Sequence, residues 1–177
     1  MYKKLLAAAV AGALVYAQTA FAVGSENCIY VVDTPKIMAE SAPSALGRKH
    51  IDDVQKALQE SVQEVKKAWE KANEQQKAVA INDAVIQLNR QLELEKMAVN
   101  RKILSIIREE TTKWLKEHKG KMVISKDALL AADEDCEITS TILDMVNKRT
   151  PQFAELPKVT VQHPSFDSKG NAVPKKQ

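Results

Sequence analysis

From Arg48 to Lys119 the chain runs for 72 residues without a single glycine or proline. Glycine weakens helices through backbone entropy, and proline breaks them through its ring and its missing N–H, so their exclusion over such a length permits continuous helix. The segment is built largely from Ala, Leu, Glu, Gln, Lys and Arg, the strong helix formers. Its apolar residues Ile51, Val54, Leu58, Val62, Val65 and Trp69 step by three or four, as do Val85, Leu88 and Leu92 and then Val99, Ile103, Ile106 and Ile107. Those stripes are narrow, as in a coiled coil rather than a globular core helix. One straight helix would reach about 108 Å. The polar run Asn73-Glu74-Gln75-Gln76-Lys77 interrupts the stripe and predicts an antiparallel hairpin turning there, with Asn82-Asp83 as the competing tip. Either turn makes an arm of roughly 45 to 60 Å.

The flanks read differently. Cys28-Ile29-Tyr30-Val31-Val32-Asp33 is a β-branched run closed by Thr34-Pro35, a strand signal. Beyond the arm, Lys121 to Ser125 and Ala128 to Ala131 read as two strands around Lys126-Asp127. Asp133-Glu134-Asp135, with Glu137, then opens a short helix with Ile138, Ile142, Met145 and Val146 on its buried face, the acids favouring its dipole and Lys148-Arg149 its far end. Pro151 stops that helix. The tail, with Pro157, Pro164 and Pro174, reads as mostly disordered or draped, and Val159-Thr160-Val161 is its one hint of strand. The expected organisation is a leader at 1–22, a first strand and short helix at 23–47, the arm at 48–119, a strand hairpin and last helix at 120–149, and a tail at 150–177.

The leader is a secretory signal: Lys3 and Lys4, an apolar run from Leu5 to Tyr16, and the small-residue close Ala20-Phe21-Ala22. The apolar run is shorter than the roughly 20 residues that span a bilayer. Of the formal net charge of +3, two lysines leave with it, so 24 basic residues face 23 acidic ones in the exported chain. A basic footprint for nucleic acid does not survive that subtraction. The arm itself holds 15 basic and 12 acidic residues, a mildly positive surface able to steer acidic chains.

No constellation for catalysis, cofactor or metal emerges. There is no phosphate-binding glycine loop, no nucleophile elbow, and no metal-ligand spacing among His50, His118 and His163, which read as isolated surface residues. Cys28 and Cys136 are separated by 107 residues and form no C-x-x-C pair. In an oxidising compartment they are expected to form one structural disulfide, for which closing the long loop is worth up to about 4 to 5 kcal/mol; a bridge between subunits and free thiols stay open. Trp69, with Lys66, Lys67, Lys71 and Lys77 around it, makes the arm tip a candidate contact for a client or an anionic membrane surface.

Three short strands and one small helix leave open sheet edges and a small core, which predicts symmetric association. The expected architecture is α+β: a small oligomeric β hub carrying long antiparallel helical-hairpin arms. Hub contacts are assigned to Ile29, Val31, Val123, Ile124, Leu129, Leu130, Ile138 and Ile142. Val79, Ile81, Ile86 and Leu94 lie off the arm stripe and are expected to face the space between arms.

The stretch from Ile29 to Ser41 (Ile-Tyr-Val-Val-Asp-Thr-Pro-Lys-Ile-Met-Ala-Glu-Ser), the unbroken arm, Met122-Val123-Ile124-Ser125 and Glu137-Ile138-Thr139-Ser140-Thr141-Ile142-Leu143 follow one another in an order that resembles the Skp/OmpH family of periplasmic chaperones. The resemblance covers Ile29 to Arg149, 121 of the 155 residues left after the leader, and rests on the order of parts. It implies a homotrimer whose arms surround a cavity in which unfolded outer membrane proteins are held without ATP. An envelope structural or adaptor protein, using the arms as a spacer to a folded partner, is the alternative expectation. A thiol oxidoreductase would require reversible exchange of the two cysteines. Mass measurement of the denatured exported protein should give a monomer that gains two hydrogens on reduction. A disulfide-linked dimer or an unchanged mass would contradict the intramolecular bridge.

Overall fold

The computed structural model describes residues 29–120 and 122–173. The expected leader, Cys28 and with it the expected bridge to Cys136, Lys121 and the closing Lys175-Lys176-Gln177 lie outside the described residues. The chain opens with strand β1 (Ile29–Val32) and helix α1 (Thr34–Glu40), whose start is set by the Asp33 carboxylate accepting the Lys36 N–H at 2.8 Å. Pro35 sits in the first turn, where its missing N–H costs nothing. Ser41 ends α1 and caps α2 (Ala42–Ala68).

Helix α2 thus begins before Gly47, not after it. The glycine lies inside the helix because a Cβ there would stand 2.7 Å from Val99 Cγ1 and 3.1 Å from Ile103 Cδ1. There α2 lies directly against side chains of α3 (Glu74–Glu117). The chain reverses over Trp69 to Asn73. Asn73 is the only residue of the expected turn that lies in it, because its side chain accepts the Gln76 N–H at 2.9 Å and makes Glu74 to Lys77 the first helical turn. Asn82-Asp83 lies within α3. By the helical rise, α2 is about 40 Å long and α3 about 66 Å.

Strand β2 (Met122–Ser125) pairs with β1 in parallel, Ile29 opposite Met122 and Val32 opposite Ser125. Parallel neighbours need a long crossover, and here the whole helical hairpin is that crossover. The expected strand at Ala128 to Ala131 does not form. Lys126–Ala128 is a single 3-10 turn, Leu130 is fully exposed, and the free edge of β1 is taken instead by Glu137 and by the Ile138 N–H donating to Val31 O at 2.9 Å. The outer edge of β2, which a hairpin strand would have taken, stays open because the 3-10 turn leads the chain past it to the far edge of β1. Lys126 reaches back to Glu137 at 2.7 Å, which holds the Glu137 carboxyl below its usual range and the ammonium above its own.

The acidic run precedes the last helix rather than opening it. Asp133 caps a 3-10 turn at Glu134–Cys136, and helix α4 spans Thr139–Asn147. Ile138, Ile142 and Val146 face inward as expected, and the Thr139 hydroxyl accepts the Asp33 N–H at 2.8 Å, tying α4 to the β1–α1 junction. The core is larger than two short strands supply, because the base of α3 enters it. Val99, Ile103, Ile106, Ile107 and Trp114 pack with Val32, Ile37, Ile138, Ile142 and Val146. Ile142 is fully buried at the centre of this cluster, so I142A should cost about 2 to 5 kcal/mol. Urea denaturation followed by circular dichroism measures the loss.

Candidate interaction surface

Five large apolar side chains of α3 are left in solvent: Val79, Ile86, Leu94, Met97 and Leu104, each 42 to 58% exposed. Their spacings, with helical steps of about 100°, place all five on one arc of roughly 80°. That arc lies nearly opposite the seam formed by Leu88, Leu92, Val99 and Ile103. Arg90, Arg101 and Arg108 fall on the same arc and are exposed. The result is a stripe of about 37 Å, apolar with interleaved guanidinium groups. Val79, Ile86 and Leu94 thus stand where the sequence puts them. Ile81 does not: it is half-buried, because two residues beyond Val79 the helix has turned to the α2 seam.

The arm tip is altered by a segment the sequence reading left loose. Arg149 donates to Glu109 at 2.9 Å and to the buried Glu110, fixing the start of the tail against α3 and holding the Glu109 carboxyl below its usual range. Phe153 then covers Gly47 and stacks on His50, ring centroids 5.1 Å apart and 20° between planes. His50 is therefore no surface residue. Its side chain is 12% exposed and its Nε2 lies 4.0 Å from Glu95. From there the tail runs without regular structure to Pro164, with Pro157, Val159 and Val161 half-buried and the residues between them exposed.

The tail ends in a two-stranded hairpin seated on the arm tip. Strands β3 (Ser165–Phe166) and β4 (Ala172–Val173) pair antiparallel, so the strand signal lies beyond Val159-Thr160-Val161. Their turn is built by Asp167, whose carboxylate accepts the N–H groups of Lys169 and Asn171, each at 2.8 Å, and the Asn171 side chain at 2.9 Å. Gly170 has φ 76°, the left-handed region, and a Cβ on it would lie 2.9 Å from Asn73 N, so backbone rests on backbone. The Asn73 N–H donates to Gly170 O at 2.9 Å, its side-chain amide to Asn171 at 3.0 Å, and the Ala172 N–H to the Gln76 side chain at 3.0 Å. Phe166 meets Trp69 edge to face at 5.9 Å. Trp69 is consequently half-covered by the chain's own tail, while Lys66, Lys67 and Lys71 stay exposed and the half-buried Lys77 lies 4.0 Å from Glu74. The pattern Asp167-Ser168-Lys169-Gly170-Asn171 is a turn signal in the sequence, and the lone Phe153 and Phe166 are its only aromatic anchors.

At the hub, Val31, Ile138 and Ile142 are buried; Val123, Ile124, Leu129 and Cys136 are half-buried; Ile29 and Met122 are half-exposed. Of the residues assigned to hub contacts, Leu130 alone projects fully into solvent. No strand lies against the outer edge of β2 among the described residues. A recess of about 350 Å³ beside it is lined by Leu104, Ile107, Thr111, Leu115 and Val123. Among the described residues no helix is long and apolar enough to cross a membrane.

No family model matches the chain, and no curated protein does. Among solved structures it is similar to a candidate outer membrane chaperone, OmpH-like, from Caulobacter crescentus CB15, with 11% identity and a TM-score of 0.42 over 70% of this chain and 86% of that one.

The Asn171 side chain and backbone hold the Asp167 carboxyl below the ordinary 3.8. With the lower pKa in the folded turn, its contribution to the turn is complete above that ordinary value and is lost as pH falls through the depressed one. An NMR titration should show the Lys169 and Asn171 amide signals unchanged from neutral pH to about 4 and shifting below it as the turn loses its acceptor. In D167N that acid step should be absent.

Proposed function

We propose that the protein is an ATP-independent holdase of the periplasm that keeps unfolded outer membrane proteins from aggregating. The observation that carries this reading is the exposed stripe of Val79, Ile86, Leu94, Met97 and Leu104, on the face of α3 turned away from its own partner helix. Large apolar side chains aligned on one open helix face over that length, with cations between them, are suited to many separate weak contacts. Fully burying such a side chain is worth about 1.5 to 3 kcal/mol, so each half-exposed one offers on the order of 1 kcal/mol. One arm then binds weakly and without strict sequence demands, as a binder of diverse unfolded chains requires. The order of sequence parts that resembles the Skp/OmpH family supports the same reading.

In this reading the working unit is a homotrimer. The open outer edge of β2 receives the neighbouring copy, and the three arms together enclose the client. Several weak stripes acting on one chain supply avidity that a single arm lacks. Lys66, Lys67 and Lys71 at the tips favour an anionic surface nearby. The protein works by binding and release, with no bond made or broken and no cofactor.

The test is light scattering of an unfolded β-barrel outer membrane protein diluted from urea. The protein should suppress aggregation near stoichiometry. I86S alone should weaken binding by less than about fivefold, the factor that corresponds to 1 kcal/mol, and serine at all five stripe positions should abolish it. Abolition by I86S alone would point to one specific site. No suppression by the unsubstituted protein would favour the envelope adaptor.

A further inference from the structure

The tail is seated on the arm in a manner that describes what else fits there. It passes from His50 to Trp69, about 28 Å along α2, in the 13 residues from Phe153 to Phe166, and its half-buried apolar residues alternate with exposed ones: Pro157, Val159 and Val161, then Pro164 and Phe166. At its end two main-chain groups take part, the Gly170 carbonyl on the Asn73 N–H and the Ala172 N–H on Gln76, beside the Asn171 side chain on Asn73 and Phe166 on Trp69. Recognition through backbone groups and alternate side chains accepts extended strands of many sequences. Alternation of apolar and polar residues with a period of two is also the pattern of a transmembrane β-strand, whose lipid-facing and lumen-facing residues take turns.

We infer that the tail is a resident stand-in for a client strand, occupying in cis a seat along α2 and the arm tip at which the protein takes extended segments of unfolded β-barrel proteins. This rests on the holdase reading and adds to it a second contact surface, distinct from the exposed stripe of α3. The tail is built to leave. Between Phe153 and Pro164 it has no regular structure, so it opens at little cost, and its grip lies in two aromatic contacts and one small hairpin. Its hub end stays fixed by Arg149 on Glu109 and Glu110, so a displaced tail remains tethered and returns when the client leaves. While it is docked, the apparent affinity for clients is reduced by the fraction of molecules whose seat is free.

The experiment weakens the tail in the full-length protein with F153A/F166A and measures, by anisotropy, binding of a labelled, urea-unfolded β-barrel outer membrane protein. Circular dichroism should report unchanged helix content; because Phe153 packs against the core beside Gly47, F166A alone, whose ring lies against Trp69 at the tip, is the variant that leaves the core intact, and it should show the same gain in smaller measure. The expected result is binding tighter by about tenfold, as when the open fraction rises from a tenth to nearly all, and reversal of that gain by a free peptide of residues 151–173. Equal or weaker client binding by the variant, with the unsubstituted protein binding normally, would overturn this inference and leave the holdase reading standing. A gain that the free peptide does not reverse would overturn it too. Binding by neither protein would remove the holdase reading and the inference with it.

Discussion

The base of α3 is the part on which the rest of the molecule depends. Val99, Ile103, Ile106 and Ile107 belong at once to the arm and to the core, so the long helix is anchored by its own apolar face rather than attached to a preformed domain. Gly47 lets α2 settle against that face at Val99 and Ile103, and Ile142 of α4 closes it from the other side. Two short parallel strands would not stabilise themselves. They are held because the helices around them bury Val31 and Val32, and because Ile138 completes the second edge of β1.

The far end of the arm is governed by Asn73. Its side chain caps α3 and also grips Asn171, and its N–H receives Gly170, so one residue ends the turn, starts the helix and docks the tail. Hub and tip are linked twice, by the helices and by the tail, which is fixed at Arg149 and again at the tip hairpin. The arm consequently has two kinds of surface. One face of α3 is open along about 37 Å. The other is met by the tail at two points, Phe153 on His50 and Phe166 on Trp69, with no regular structure between them.

The helical arm was legible because helix formation is local: the missing glycines and prolines and the three-four spacing of Val54, Leu58, Val99 and Ile103 suffice. Strand assignment failed at Leu129-Leu130 for the converse reason. A leucine-rich tetrapeptide becomes a strand only if the chain lays it along a free edge, and the 3-10 turn at Lys126–Ala128 leads it away from the open edge of β2. Val79, Ile86 and Leu94 could be read as exposed from their offset to the stripe, whereas Ile81 required the phase of α3 to be known. The tail was read as loose because its proline content argues against regular structure, and that much of it is irregular between Phe153 and Pro164. Its two aromatic anchors gave no sign of where they would land.

Composition and periodicity by themselves determined that this chain makes a long helical hairpin flanked by short strands, since those patterns act between residues a few positions apart. Tertiary structure decided the parallel pairing of β1 with β2 across the whole arm, the burial of His50, and the return of the tail to the tip. Those outcomes join residues about 100 positions apart, such as Asn73 with Gly170 and His50 with Phe153. Their partners are selected by which surfaces the packed helices leave free, a property that exists only once the arm has formed.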